Sequence, residues 1–267
     1  MRIDTPVHSK IITKMIDRVL AYYVRAGRHA MAWRIDTSAY SIFLSEVMLQ
    51  QTQVARVTVK YAQFRERFPT FDDLARASIT DVLVEWQGLG YNRRGKYLHE
   101  AARIVVSQYA GQLPREPDVL RQLPGIGVAT AASIATFAYD VPTVFIETNV
   151  RTVILHECFP HEQDVTDDRV RVVAEQALQR ILRSKRATPR VWYWALMDYG
   201  SHLKSTEGNV NVRSAHYKRQ KPFQGSDRQI RGQLLRDFVR TRQIPLLSNA
   251  RAHALWKKLI AEGLVQT

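Results

Sequence analysis

Apolar residues recur at helical spacing through most of this chain, and that periodicity constrains the fold more than any other feature of the sequence. Side chains three or four positions apart lie on one face of an α-helix, so the pattern predicts amphipathic helices. Glycine and proline interrupt the pattern often, which predicts short helices with tight joints. The clearest stretches lie at residues 11–22, 42–49 and 98–105. The sequence therefore predicts an all-α fold.

The charge balance favours a polyanionic partner. Lys and Arg number 39 against 25 Asp and Glu, so the formal net charge is +14, and these charges are spread along the chain. Each phosphate that a cationic side chain neutralises releases condensed counterions, which makes nucleic acid the favoured partner. A surface that is basic for solubility alone is the alternative that charge leaves open.

Cysteine content and hydropathy limit the class of protein further. With Cys158 as its one cysteine, the chain can form neither an intramolecular disulfide nor a multi-cysteine metal cluster, and we expect an ordinary buried thiol. Residues 1–10 lack the apolar core of a signal peptide, and no window has the roughly 18 apolar residues of a membrane span. We therefore expect an intracellular, cytoplasmic protein associated with the nucleoid.

A two-glycine turn leads directly into a predicted helix at residues 123–127, Leu-Pro-Gly-Ile-Gly. The first backbone N–H groups of a helix have no partner within it and face outward at the positive end of the helix dipole, so they can bind an anion. Glycine also lets the main chain approach a phosphate without a side chain in the way. An ordinary turn between two helices is the alternative, because Pro-Gly is a common breaker.

This turn resembles the hairpin of the helix-hairpin-helix (HhH-GPD) DNA glycosylases, and further motifs resemble the MutY-type branch, which removes adenine from A/G mismatches. The segment at 145–151 resembles the part of the family that carries the catalytic carboxylate. The remaining motifs, in family order, are 32–34, 45–53, 88–91 and 197–200. The resemblance implies a two-lobed helix-hairpin-helix glycosylase fold.

The implied reaction is hydrolysis of the bond between adenine and deoxyribose. It needs a proton for the departing base and negative charge beside the sugar as it becomes oxocarbenium-like, which two carboxyl groups in unlike environments can provide. Glu46 lies within an apolar run, where desolvation favours the protonated form, and the family implies that it protonates the purine nitrogen N7. A glutamate on a helix surface is the alternative for Glu46.

Glu147 stands where the family pattern has aspartate. It lies where a buried stretch meets a helix that begins near Asn149, and the positive helix end is expected to lower its pKa and keep it charged. A charged carboxylate suits stabilisation or covalent capture of an oxocarbenium ion, and Asn149 completes the implied catalytic set. Because a misplacement of about 1 Å can cost on the order of a hundredfold in rate, a slow enzyme or altered base specificity is the alternative.

The resemblance also assigns residues that would bind and distort DNA. A base inside a duplex must be rotated out and its place filled; Tyr91 would wedge into the stack, and Gln51 would contact the orphaned partner base. A buried aromatic ring is the alternative for Tyr91, and Asn92 stands where relatives often have a second tyrosine. The other predicted DNA contacts are Arg34, Leu49, Thr52, Arg93, Gly125, Gly127, Val128 and Ala129, with Arg94 and Lys96 as further phosphate contacts.

Two departures limit the resemblance. Bifunctional relatives place a lysine where this chain has Ala129, so no Schiff base with the sugar can form there, and we predict a monofunctional hydrolase with weak or no lyase activity. Most members of the branch hold a four-iron cluster through four cysteines after the motif at 197–200. The residues near those positions here are Lys204, Asn211, Ser214 and Gln220.

The cofactor prediction is therefore none, with a monovalent cation at the hairpin left open. The basic run that follows would hold its loop against DNA or form a solvated linker; its members are His216, Lys218, Arg219 and Lys221. The residues after Gly225 are too few for the C-terminal domain that recognises 8-oxoguanine in longer relatives, so preference for an oxidised partner base is open.

We predict that the chain has four parts. The first is a six-helix-type domain at 30–140 that contains the hairpin, and the second is a lobe formed by 1–29 plus 141–201 that carries Glu147. A basic loop at 202–225 and a small helical or winged-helix-like appendage at 226–267 follow. Glu46 and Glu147 should face one cleft. The implied function is that of a monomeric glycosylase of base excision repair, which removes adenine opposite G or 8-oxoguanine from double-stranded DNA. The alternatives are a thymine or uracil glycosylase acting on G mismatches, and an inactive DNA-binding protein.

Overall fold

The computed structural model describes residues 7–219 and 222–265, and throughout these residues the regular secondary structure is helical. One isolated bridge joins Val165 and Ser214, and the described part of the chain contains no β-strand. The helices are α1 (Ser9–Ala26), α2 (Ala32–Ile35), α3 (Ala39–Leu49), α4 (Val54–Arg67), α5 (Phe71–Arg76), α6 (Ile79–Trp86), α7 (Arg93–Tyr109), α8 (Pro117–Leu120), α9 (Val128–Tyr139), α10 (Thr148–Cys158), α11 (Asp167–Ser184), α12 (Pro189–Thr206), α13 (Asp227–Thr241) and α14 (Ala250–Ala261). The predicted all-α fold is confirmed.

Local capping explains where several of these helices begin. Ser38, Ser78 and Ser226 each accept a hydrogen bond from the backbone N–H three residues later, at the start of α3, α6 and α13. Thr188 and Asn249 do the same for α12 and α14. Such a cap satisfies one of the N–H groups that a helix leaves without an internal partner, and it stabilises the helix by about 1 kcal/mol.

The chain forms two compact units. The first contains the described residues of Met1–Ile35 together with Ala131–Arg219, and the second contains Asp36–Thr130 together with the described residues of Gln220–Thr267. These units divide near residues 35 and 130. The predicted division into lobes at residues 29 and 140 stays a prediction. None of the described helices has the length and apolar character needed to cross a membrane.

The core of the first unit lies where α10 packs on α12. Gly200 makes this approach possible, because a Cβ atom there would collide with the backbone carbonyl of Asn149. Phe145, just before α10, stacks on Tyr193 with their ring centroids 4.0 Å apart. Cys158 is buried near the sulfur of Met15, as predicted for an ordinary thiol, and burial raises the pKa of Cys158 to about 12.

The core of the second unit includes the C-terminal helices. Leu83 of α6 shares one buried cluster with α13 and α14, to which Phe238 and Trp256 contribute an edge-to-face aromatic pair. Between residues 222 and 265 the structure contains no β-strand, which a winged-helix motif would require, so the helical alternative for this segment agrees with the structure. The segment packs on α6 as part of a larger core.

Candidate active site

The hairpin at residues 123–127 presents its backbone to solvent. Leu123 and Ile126 are buried and anchor the turn, and the Ile126 N–H donates to the Leu123 carbonyl at 3.2 Å. Gly125 has φ +76°, and a Cβ there would lie 2.9 Å from Cβ of Tyr97, so glycine is required for both its backbone conformation and its packing. Gly127 precedes α9, and a Cβ there would meet no atom within 4 Å.

The predicted contact residues of the hairpin are all exposed: Gly125, Gly127, Val128 and Ala129. Since α9 begins at Val128, its outward N–H groups lie in this exposed region, where an anion could bind. Sequence analysis missed Gln50, whose Nε2 donates to the Gly125 carbonyl at 3.3 Å and to Thr130 Oγ1 at 3.2 Å. Gln50 therefore fixes the hairpin relative to the end of α3.

Gln51 lies at the tip of a tight turn that follows α3. The Thr52 N–H donates to the Leu49 carbonyl at 3.2 Å, and Gln51 has φ +55°, a conformation that usually requires glycine or asparagine. Gln51 is exposed, while Leu49 and Thr52 are half-buried. The turn thus presents the Gln51 side chain outward at a backbone position that costs about 1–2 kcal/mol for a residue with a side chain.

Tyr91 follows a second tight turn with similar backbone strain. Gly88 and Gly90 have φ of +91° and +73°, and Tyr91 itself has φ +46°. The Tyr91 side chain is 38% exposed, so the alternative of a buried aromatic ring is wrong. Residues held in sparsely populated backbone regions cluster at functional sites, and here both predicted base-extruding residues adopt such a conformation.

Arg94 joins the two turns. Its guanidinium donates to the Val47 and Met48 carbonyls at the end of α3, at 2.8 and 3.0 Å, and also to the Leu89 carbonyl and Thr52 Oγ1. Burial lowers the pKa of Arg94 to about 10. The predicted phosphate contact is therefore corrected, because both terminal nitrogens of this side chain donate to groups inside the protein.

Arg93 and Lys96 also have protein partners that the sequence did not suggest. Arg93 pairs with Glu262 at 2.5 Å, and Lys96 Nζ donates to the Glu262 carbonyl. Arg231 of α13 binds the other carboxylate oxygen at 2.5 Å. Burial alone would raise the pKa of Glu262, but hydrogen bonds from Arg231 and Arg93 outweigh it and hold the pKa below its usual value. Arg93 remains half exposed and stays a predicted DNA contact.

The two predicted catalytic glutamates lie in different units, Glu46 in the second and Glu147 in the first. Glu46 lies in α3 and is half-buried, whereas the residues on either side of it, Ser45 and Val47, are buried. A side chain in this position is neither a fully exposed surface glutamate nor a sealed core residue. The prediction that the two carboxyl groups face one cleft stays a prediction.

Glu147 is the N-cap of α10. One carboxylate oxygen accepts hydrogen bonds from the Asn149 and Val150 N–H groups at 2.8 and 2.9 Å, and the other accepts from Asn149 Nδ2 at 3.3 Å. We expected the helix end to lower the pKa of this carboxyl. Burial instead raises it, outweighing these three donors and the nearby charge of Arg151. The expected direction was wrong because it neglected desolvation.

A family model of the "HhH-GPD superfamily base excision DNA repair protein" matches residues 44–238, a span that contains the hairpin, both turns and both glutamates. The chain belongs to this HhH-GPD superfamily. Adenine DNA glycosylase of Mycolicibacterium smegmatis is 32% identical over 274 residues, covering 93% of this chain and 91% of the relative. The resemblance to the adenine DNA glycosylase branch is therefore confirmed.

Similarity extends to animal and solved relatives of the superfamily. Adenine DNA glycosylase of Rattus norvegicus is 41% identical over 152 residues, covering 54% of this chain and 29% of the rat protein. The solved structure of a thermostable thymine-DNA glycosylase superposes with a TM-score of 0.59 at 22% identity, covering 72% of this chain and 87% of that one. This likeness shows the shared fold, so the predicted helix-hairpin-helix glycosylase fold is confirmed.

The motifs at 32–34 and 197–200 of this HhH-GPD chain form one ion-pair cluster. Both terminal nitrogens of Arg34 bind the carboxylate of Asp198, at 2.7 and 2.9 Å, and Arg28 Nε binds it at 2.6 Å. The side chain of Arg34 is only 3% exposed. The predicted phosphate contact of Arg34 is therefore corrected: this guanidinium is a buried partner of Asp198. Burial tends to raise the pKa of Asp198, but the two arginines outweigh it and lower the pKa.

The loop that would carry an iron–sulfur cluster is held by side-chain hydrogen bonds. Asn211 is buried and donates to Thr152 Oγ1 at 2.7 Å, and Arg213 donates to the Leu155 and Phe159 carbonyls at the end of α10. Lys204 is exposed on α12 and Ser214 is buried. Amide, hydroxyl and ammonium groups do not suit iron, so the residues described at these positions do not fit the cluster.

The structure describes some of the other loop residues for which the sequence makes a prediction. His216, Lys218 and Arg219 are exposed, which agrees with either a DNA-facing loop or a solvated linker. Gln220 and Lys221 lie outside the described residues. Among the described residues, no group of three or more His, Cys, Asp or Glu side chains is arranged to hold a metal ion.

Proposed function

We propose that this protein is a monofunctional adenine DNA glycosylase of base excision repair, acting as a monomer inside the cell on adenine mispaired with G or 8-oxoguanine. One observation carries the proposal: the similarity to an adenine DNA glycosylase runs along more than nine-tenths of both chains. It therefore includes the hairpin, the two strained turns and both carboxyl groups, rather than a DNA-binding part alone.

DNA binding is assigned to the exposed hairpin and the two turns. The N–H groups at the start of α9 bind a phosphate of the strand that carries the target base, since glycines 125 and 127 allow a close approach. Tyr91 enters the base stack as adenine is extruded, and Gln51 contacts the orphaned partner base. A monovalent cation at the hairpin stays a prediction, and no step depends on it.

The chemistry is assigned to the two glutamates. Glu46 donates a proton to N7 of adenine while the bond between N9 and C1′ breaks with its electron pair leaving on the base. The negative charge of Glu147 stabilises the oxocarbenium-like sugar, and water then adds its hydroxyl to C1′ and releases a proton. Asn149 positions the Glu147 carboxylate through its Nδ2 donor at 3.3 Å. Ala129 offers no amine, so no lyase step follows.

Single-turnover base release on a panel of duplexes tests the proposal. Adenine opposite G and adenine opposite 8-oxoguanine should each give alkali-labile abasic sites, and borohydride should trap little covalent complex. Duplexes with thymine or uracil opposite G distinguish the glycosylase alternative. Release of either pyrimidine faster than adenine would reassign the substrate, and binding without release of any base would refute an enzymatic function.

A further inference from the structure

A groove in the second unit runs beside the two strained turns and extends to the C-terminal helices. Its volume is about 1590 Å³, and its lining includes Gly125, Gln51 and Tyr91 together with residues of α13 and α14. We call it the α13 groove. Sequence analysis assigned no function to the α13 and α14 segment. Its residues form part of the groove lining, and we call this part the C-terminal wall.

The α13 groove has the charge of a polyanion-binding surface. Eight basic side chains and two acidic side chains line it. Both acidic groups have arginine partners, because Asp227 pairs with Arg251 at 2.6 Å and Glu262 pairs with Arg93 and Arg231. The lining therefore has a large excess of positive charge, which favours binding to phosphates.

Two basic residues of the C-terminal wall are exposed, namely Arg236 of α13 and Lys258 of α14. Phe223, which lines the same wall, is 61% exposed. Basic side chains interspersed with an exposed aromatic ring are typical of nucleic-acid surfaces, where cations contact phosphates and rings contact bases or sugars. The C-terminal wall of the α13 groove has both features.

Arg228 connects this wall to the base-extruding turn. Its Nη1 donates to the Tyr91 hydroxyl at 2.6 Å, and its guanidinium carbon lies 5.8 Å from the centre of the Tyr91 ring. Arg94 approaches the same ring at 5.7 Å. Tyr91 thus contacts two guanidinium groups, one from α7 and one from α13, so the C-terminal segment takes part in placing it.

Hydrogen bonds link these parts of the second unit to one another. Gln50 joins the hairpin to the first turn, Thr52 Oγ1 joins the first turn to the second through the Leu89 carbonyl at 3.2 Å, and Arg228 joins the second turn to α13. Along this series Gln51 and Tyr91 come between the hairpin and α13, and Gly125 of the hairpin also lines the α13 groove. Under the proposed function the hairpin binds the strand that carries the target base, and this assigns the opposite strand to the C-terminal wall.

We infer that the C-terminal wall of the α13 groove binds the sugar-phosphate backbone of the strand opposite the extruded base, through Arg236 and Lys258, while Arg228 positions Tyr91. The inference rests on the proposed function for the placement of the two strands. It gives the segment at 222–265 a direct role in holding the duplex. The ligand is the DNA backbone itself, so the contact is independent of base sequence.

A pair of matched double variants tests this inference. Arg236→Gln with Lys258→Gln changes two groove residues, whereas Arg240→Gln with Lys257→Gln removes the same charge from exposed positions of the same two helices outside the groove lining. Each full-length variant is titrated with an A/G duplex containing a non-cleavable 2′-fluoro adenosine, over a range of salt concentrations. The groove variant should bind about tenfold more weakly, with a salt slope lower by about 2, and the control should bind within about twofold of wild type.

Neutral methylphosphonates placed on one strand at a time identify the strand. They should weaken wild-type binding on both strands, but those opposite the adenine should have little effect on the groove variant. Equal binding by the two double variants, or the same methylphosphonate pattern for both, overturns the inference. Wild-type release of adenine is measured in parallel: its absence refutes the proposed function, while the binding comparison still decides whether the groove holds DNA.

Discussion

At the scale of single residues, Glu147 combines structural and chemical roles. Its carboxylate caps α10 through two backbone N–H groups, and the same carboxylate supplies the negative charge of the proposed reaction. Glu147→Gln keeps an oxygen that can accept both hydrogen bonds but removes the charge. We expect adenine release to fall at least about a hundredfold, with the melting temperature and DNA affinity close to wild type.

Glu147→Asp provides the matched control, because aspartate is the residue that the family pattern has at this position. It keeps the charge and shortens the side chain by one methylene, so single-turnover release should stay within about tenfold of wild type in either direction. Equal, near-complete loss in both variants would show that length matters as much as charge. Unchanged release by the glutamine variant would remove Glu147 from the mechanism.

The raised pKa of Glu147 sets a pH dependence. The proposed role needs the charged form, so activity should be present above the pKa of this carboxyl and fall as pH decreases through it. Because burial raises that pKa, the acidic limb of the single-turnover rate should lie above pH 4.5, the ordinary glutamate value. The residual single-turnover rate of Glu147→Gln should no longer fall in this acidic range. A limb at or below pH 4.5 in the wild type would contradict the burial argument.

At the scale of elements, the hairpin offers a test that separates phosphate binding from an ordinary turn. A Cβ at Gly127 would meet no protein atom within 4 Å, so Gly127→Ala should fold with an unchanged melting temperature. If the backbone there approaches a phosphate, the new methyl group obstructs it, and we expect about tenfold weaker duplex binding. Fluorescence anisotropy and thermal unfolding on the same samples measure both quantities.

Gly125→Ala is the contrasting variant. Its φ of +76° and the close approach to Tyr97 make any side chain unfavourable, so the melting temperature should fall along with DNA affinity. The cost of the left-handed conformation alone is about 1–2 kcal/mol. Wild-type affinity in Gly127→Ala would indicate that the hairpin is only a turn between helices.

Elements that depend on residues close together along the chain could be predicted from the sequence. The hairpin and the start of α10 depend on glycines and a capping carboxylate within a few residues of one another. The same local reasoning failed for the pKa of Glu147, since it took account of the helix end and had no measure of burial. Patterns of a few residues predict backbone geometry better than they predict solvation.

At the scale of the whole molecule, partners that lie far apart along the chain could not be predicted from the sequence. Arg34 and Asp198 are 164 residues apart, and Arg93 and Glu262 are 169 apart. In each case sequence analysis predicts a DNA contact for the basic residue, because its acidic partner lies far away along the chain. Arg228 and Gln50 were missed for the same reason: each acts on a turn that is distant in sequence.

The C-terminal helices give a whole-molecule prediction, because they share a core with α6 instead of folding alone. Trp256 is 4% exposed in the cluster that contains Leu83. Trp256→Ala should lower the stability of the second unit by about 3–5 kcal/mol, while Lys257→Ala, at the exposed neighbouring position, should leave it unchanged. In thermal unfolding followed by circular dichroism, the Trp256→Ala variant should lose helix at a lower temperature than wild type. The loss should exceed the helix content of α13 and α14, because α6 unfolds with them. If α13 and α14 were an independent appendage, the variant would instead lose a small fraction of its helix at low temperature and keep the wild-type main transition.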